Sequence, residues 1–277
     1  MKDQERHFKG ENFADRFAEA DGGSRDQRDK QEALIAGRHA VIEALRYSKP
    51  LEVFLVEGLK KALVNEITHL ARRRKVPLKC LSKEDFNRLA GDISGNQGVA
   101  ATAAPFRYSS LSRLIAWARS SGPEPFLIML DHIEDPQNLG AVMRTADAAG
   151  VHGLIIPDQR AAGVTAAVRK VAAGAAERLP VALVGNLNRA SEMLKNEGFW
   201  LYGAEADGSE EYFRADYCRP LVLVIGSEGK GLSRLLRKNC DLTLNIPMPG
   251  SAGSLNIAAA TAILTYAALA QREGWTG

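Results

Sequence analysis

The chain has 277 residues and a mass of 30.0 kDa, with 45% hydrophobic and 25% charged residues, which fits a folded protein of one to two domains and excludes collagen-like or wholly disordered chains. No apolar run approaches the roughly 18 to 20 residues of a membrane span, the opening MKDQERHFKGENFADRF lacks the apolar core of a secretory signal, and Cys80, Cys218 and Cys240 form neither a disulfide framework nor a zinc pattern, so a cytoplasmic, metal-free protein is expected. The net charge of +3 is unevenly spread: residues 1–31 carry −1, residues 32–121 carry +7 and residues 122–277 carry −3, so a polyanion would dock on the middle third.

Residues 1–31 alternate in charge, lack aliphatic periodicity and read as a disordered arm. A small α/β domain is expected over residues 32–105. There GRHAVIEALRYS has helical spacing and LEVFLVEG reads as a strand. KKALVNEITHLARRRK is again helical, with Ala62, Ile67, Leu70 and Ala71 near one face. PLKCLS suggests a short strand, KEDFNRLAG a helix and GVAATAA a closing strand. Residues 106–125, rich in Ser, Gly and Pro, read as a linker around one short helix.

Residues 126–277 alternate between strand and helix. The strands are FLIMLDHI, GLIIPD, RLPVALVG, FWLYGAEA, LVLVIGSE and LTLNIPM. Between and after them come helical stretches, GAVMRTADAAG, TAAVRKVAAGAAE, RASEMLKNEG, LSRLLRKN and NIAAATAILTYAALAQREG. Continuous apolar strands separated by helices predict an α/β domain with a parallel sheet covered on both faces. Ligands of such sheets bind beyond the carboxyl ends of the strands.

Three segments at those ends are unusual. In DHIEDPQNLGAVMRTADAAG, Asn138 is placed to cap a helix, and Arg144 follows within two turns, near the same face. Taken alone, the pair also fits a plain cap and a solvated arginine. In VLVIGSEGKGLSRLL, a strand runs into Gly226, Gly229 and Gly231 with Glu228 among them. The spacing is neither a Walker A loop nor the dinucleotide fingerprint, which argues against a nicotinamide-dependent oxidoreductase. In LNIPMPGSAGSLNIAAATAILTYA, a strand ends at Ile246-Pro247-Met248, a small-sided loop follows, and Ser254-Leu255-Asn256 opens a helix. Ser254 and Asn256 are ordinary capping residues, but the loop before them suits the wrapping of a ligand.

Together, N-x-x-x-x-x-R, G-x-E-G-x-G and I-P-M-(loop)-S-L-N resemble the TrmH-type SPOUT RNA ribose 2′-O-methyltransferases. Gly37-Arg38-His39-Ala40-Val41-Ile42-Glu43-Ala44-Leu45 and Asn96-Gln97-Gly98-Val99-Ala100-Ala101 resemble the ribosomal-protein-like RNA-binding domain of the RlmB-like subgroup, which modifies a guanosine of 23S ribosomal RNA. The resemblance covers residues 34–273. It implies a trefoil-knotted catalytic domain, a homodimer, S-adenosylmethionine as methyl donor, and RNA as partner. Carried onto this chain, it makes Asn138, Arg144, Glu228, Ser254 and Asn256 catalytic-site positions. Gly226, Ile246, Met248 and Leu255 become donor-binding positions.

The chemistry suits those residues. Moving a methyl group to a ribose hydroxyl needs in-line positioning and removal of a weakly acidic proton. Arginine is hard to deprotonate, so Arg144 is expected to clamp a flanking phosphate and polarise the hydroxyl. Glu228 would orient it or take a proton through water. His132 reads as a strand-end structural residue, and Arg72-Arg73-Arg74-Lys75 as a phosphate-contacting run. Two rival readings remain at this point: methylation of transfer RNA by the same fold, and a non-catalytic RNA-binding protein, which would have no need of Arg144, Glu228 and Asn256 together.

Overall fold

The strands sort into two sheets. In the computed structural model, residues 33–47, 50–91, 93–103, 106–229, 231–250 and 254–275 are described, and the arm expected over residues 1–31 lies outside them. The first sheet holds β1 (Ala33–Ala36), β2 (Glu52–Val56), β3 (Leu78–Leu81) and β4 (Val99–Ala103) in the order β1-β4-β2-β3. β4 runs antiparallel to β1 and β2, while β2 and β3 are parallel.

The helices α1 (Arg38–Tyr47), α2 (Lys61–Arg74) and α3 (Lys83–Ala90) accompany this sheet, with one further helical turn at Ile93–Asn96. Helix α2 buries Ile67 and Ala71, as its spacing predicts. Ala62 is exposed, however, and Leu63 and Val64 pack on the core instead. They stand four and three residues before Ile67 and so share its face, which a residue five positions away does not. The basic run at the end of α2 divides. Arg74 turns inward and caps α1, donating from Nε to the Leu45 carbonyl (3.0 Å) and from Nη2 to the Arg46 carbonyl (2.6 Å). Arg72 and Arg73 remain exposed.

The second sheet has seven strands: β5 (Phe126–Leu130), β6 (Gly153–Pro157), β7 (Val181–Val184), β8 (Trp200–Ala204), β9 (Glu210–Glu211), β10 (Leu221–Ile225) and β11 (Leu242–Asn245). Their order is β7-β6-β5-β10-β8-β11-β9, and every pairing is parallel. Successive side chains point to opposite faces. Along β5, Phe126, Ile128 and Leu130 therefore enter one core while Leu127 and Met129 enter another.

The first of these cores is closed by α5 (Pro136–Ala148), α6 (Ala166–Ala172) and α9 (Ile257–Arg272). The second is closed by α4 (Leu111–Ser120), α7 (Leu187–Asn196) and α8 (Arg234–Asn239). Burial of both faces explains why these strands read as unbroken apolar runs.

Three local departures matter. Helix α4, expected as a short helix within a linker, packs Leu114, Ile115 and Ala118 against the sheet. The single helix expected over TAAVRKVAAGAAE ends at Ala172; Ala173 (φ 50°) and Gly174 (φ 94°) break it before a short 3-10 turn at Ala175–Glu177. Helix α5 starts earlier than its apolar pattern suggests, because Pro136 takes the first helical position and Asp135 caps it, accepting a bond from the Gln137 amide (3.0 Å).

Arg178 joins the two halves. It pairs with Glu43 on α1 and grips Asp147 on α5, with Nε 3.1 Å from Oδ1 and Nη2 2.5 Å from Oδ2. The small sheet is thus tied to the helix that carries Asn138 and Arg144. Among the described residues, no helix is long and apolar enough to cross a membrane.

Candidate active site

The strands β5, β8, β10 and β11 end side by side, and the loops that leave them build one site. After β10 the chain makes a tight turn in which Ser227 and Gly231 exchange two backbone hydrogen bonds, each 3.1 Å. Gly226 makes this turn possible. A Cβ there would stand 2.2 Å from the Gly231 carbonyl carbon, so any side chain would force the two limbs apart. Beside the turn lies a cavity of about 340 Å³, within the usual size of a small-ligand site.

Gly226, Ile246, Met248 and Leu255, the four positions the sequence assigns to a donor, all line this cavity. Glu228 and Ser254 line it as well. Glu228 connects the three unusual segments. Its Oε1 accepts from Asn138 Nδ2 (3.1 Å), on the first turn of α5, and from the Ile257 amide (3.3 Å), at the start of α9. A carboxylate at a helix N-terminus satisfies an otherwise unpaired amide and the positive end of the helix dipole.

Asn256 caps the same helix, with Oδ1 accepting from the Ala259 amide (2.7 Å). Ser254 is not a cap; it stands on the cavity wall. Nor does Asn138 cap α5, since Asp135 already does so, and its side chain is left to reach Glu228.

Arg144 is not drawn into this cluster. Six residues advance an α-helix by about 9 Å and turn it by some 240° from the starting face, so the shared face expected for Asn138 and Arg144 does not form. Arg144 is exposed and has no hydrogen bond or ion pair among the described residues. Asn138, Arg144 and Asn256 do not line the cavity.

Two acids escaped the sequence reading. Asp131, just beyond β5, is buried; its Oδ2 accepts from the Ser233 amide (2.8 Å) and its Oδ1 pairs with His132 Nδ1. His132 has left-handed backbone (φ 62°), so the strand end is held by this pair, consistent with a structural histidine. Glu205, one residue past β8, lines the cavity, and its Oε1 accepts from the Leu232 amide (2.8 Å). The signal that singled out Glu228, an acid at the end of an apolar strand, was present in FWLYGAEA too.

Residues 125–266 match the SpoU rRNA Methylase family, and residues 34–109 match the substrate-binding domain of RNA 2′-O ribose methyltransferases. The chain belongs to the SpoU/TrmH family of RNA methyltransferases. It is 38% identical over 246 residues to YacO of Bacillus subtilis, assigned to the TrmH tRNA/rRNA methyltransferases, covering 88% of this chain and 98% of YacO. A Staphylococcus saprophyticus protein with the same assignment is 40% identical over 244 residues, covering 88% and 97%. Among solved structures, the SpoU methyltransferase AviRb from Streptomyces viridochromogenes, in complex with AdoMet, superposes with a TM-score of 0.74 at 27% identity, covering 91% of this chain and 95% of AviRb.

This SpoU/TrmH protein is an S-adenosylmethionine-dependent RNA 2′-O-methyltransferase. Its cavity suits the donor. Ile225, Ile246, Met248, Leu255 and Ile257 offer apolar surface to a purine, the backbone pinched at Gly226 brings amides and carbonyls within reach, and two carboxylates face a cationic ligand.

Proposed function

We propose that this enzyme methylates the ribose 2′-hydroxyl of a guanosine in 23S ribosomal RNA, as a cytoplasmic homodimer. The observation that carries the reading is the convergence on Glu228: one carboxylate ties the first turn of α5, the glycine turn and the start of α9 into a single wall beside the donor cavity. When bound, S-adenosylmethionine supplies a methyl group activated on a sulfonium.

The chain's own residues do the rest. Gly226, Ile246, Met248 and Leu255 hold the donor, and Ser254 orients it from the wall. Asn138 fixes the Glu228 carboxylate, which takes the hydroxyl proton through water. Asn256 keeps the end of α9 in place. Arg144, exposed and unengaged among the described residues, clamps a phosphate of the RNA that flanks the reacting ribose. The +7 charge of residues 32–121 and the exposed Arg72 and Arg73 support a large, folded RNA as substrate.

The path from β11, beyond β8, back to α9 packed on the core of α5 supports a trefoil knot around the site. Tyr266 and Trp275, exposed on and after α9, support a two-fold partner there. Light scattering should give twice the 30.0 kDa chain mass, and a monomer at micromolar concentration would refute the dimer. The substrate is tested by mapping ribose methylations in RNA from a deletion strain. One methylated guanosine of 23S ribosomal RNA should be lost; loss confined to transfer RNA would overturn the assignment.

A further inference from the structure

Among the described residues that line the donor cavity, two bear a carboxyl group, Glu205 and Glu228, and none bears a basic side chain. Their surroundings differ. Glu228 accepts hydrogen bonds from Asn138 and from the amide of Ile257 at a helix N-terminus, and these dipoles offset its charge. Glu205, one residue past the end of β8, packs against the glycine turn at Gly231 and accepts one hydrogen bond, from the Leu232 amide.

Its position is fixed from several directions. The Glu205 amide donates to the Leu244 carbonyl (2.9 Å), and its own carbonyl accepts from the Gly208 amide (3.2 Å). Gly231 (φ 63°) lies against the carboxylate so closely that a Cβ there would stand 2.6 Å from Oε2. No ion pair to Glu205 forms among the described residues. Arg237, which feels its charge, is engaged with Asp207 (3.0 Å). The neighbouring Cys240 thiol stays neutral, pushed up to about 12 mainly by burial. An immobile, half-buried carboxylate on a cavity wall interacts strongly with the charge of whatever enters.

The reaction changes that charge. Methyl transfer forms an O–CH3 bond, breaks an S–CH3 bond and releases the hydroxyl proton, so the sulfonium becomes a neutral thioether. The ligand in the cavity loses one positive charge. Resting on the donor assignment above, we infer that Glu205 is the charge by which the cavity distinguishes the sulfonium donor from its thioether product, weakening the hold on the product once the methyl group has left.

Glu205→Gln isolates this role, because the amide oxygen can still accept from Leu232 and the volume is unchanged. Calorimetry on the full chain would compare two probes. One is sinefungin, in which an ammonium-bearing carbon replaces the methylsulfonium; the other is S-adenosylhomocysteine, the neutral product. Glu205→Gln should weaken sinefungin about 10-fold, equivalent to ~1.4 kcal/mol, and leave the product within about 2-fold, near the limit of a surface-like change. Retained product binding also shows that the variant is folded. Glu205→Asp, which keeps the charge, should preserve the preference between the two probes even if both bind more weakly. Equal loss of both probes in Glu205→Gln, or loss of neither, would overturn the inference. Wild-type protein that bound neither probe would instead overturn the donor assignment, and this inference with it.

Discussion

At the amino ends of β5 and β10, Arg272 donates to the carbonyls of Tyr217 (3.0 Å), Glu124 (2.8 Å) and Arg219 (2.7 Å) and lies over the Phe126 ring (4.8 Å). Beside it, Arg219 pairs with Asp216 and covers Trp200 (4.3 Å). At the carboxyl ends of the same strands Glu228 lines a cavity, and Arg144, farther along α5, stands exposed with no such partner among the described residues. The residue types are alike, but their use differs. At one end the charges are consumed in tying α9 to the strands; toward the other, Glu228 is held by Asn138 and the Ile257 amide beside a cavity and Arg144 is open to solvent. Catalytic and binding groups sit on loops held by a rigid scaffold for this reason.

The comparison can be broken from either side. Arg272→Ala removes three charge-assisted hydrogen bonds to part-buried carbonyls, of which the Tyr217 carbonyl keeps its bond from the Arg219 amide, and should cost about 3 kcal/mol of stability. Denaturant unfolding measures this, and a loss below about 1 kcal/mol would mean that the amino-end arginine is not structural.

The same contrast is sharpened, at smaller amplitude, within the basic run of the small domain. Arg74→Ala uncaps α1 and should cost about 1 kcal/mol, with the salt dependence of RNA binding unchanged. Arg72→Ala or Arg73→Ala should do the reverse, each flattening the log–log salt slope by about 0.7 to 0.9 while stability stays within about 0.5 kcal/mol. Filter binding across a salt series separates the two.

The sequence was most legible where burial imposes a period. The strands of the large sheet stand out because both faces are covered, and α2 because Ile67 and Ala71 share a face. It was least legible where pairing is distant or short. β1, the tetrapeptide ALIA, is too brief to show a period and exists through its pairing with Ala100–Ala103. The start of α5 is written in Asp135-Pro136, yet Asn138 stands closer to the apolar run and competes with Asp135 as a cap on sequence alone.

Of the site, the cavity-lining Gly226, Ile246, Met248 and Leu255 were readable as local motifs at strand ends. The bond between Asn138 and Glu228 was not, since it joins residues 90 positions apart and depends on β10 lying next to β5. Arg144 was readable as a residue but not as a place: the sequence put it beside Asn138, and helix geometry turns it away.

The central claim, that Arg144 is kept free in order to act on RNA, is tested most directly by single-turnover methylation of the mapped RNA with Arg144→Ala, alongside unfolding of the same preparation. The rate should fall by about 10²-fold or more, roughly 2.7 kcal/mol of transition-state stabilisation, with stability changed by less than about 0.5 kcal/mol. Arg144→Lys should recover little of the rate, because a point charge does not reproduce the planar two-pronged contact. A rate near wild type in Arg144→Ala would contradict the account and leave the chemistry to Glu228 and the residues it holds.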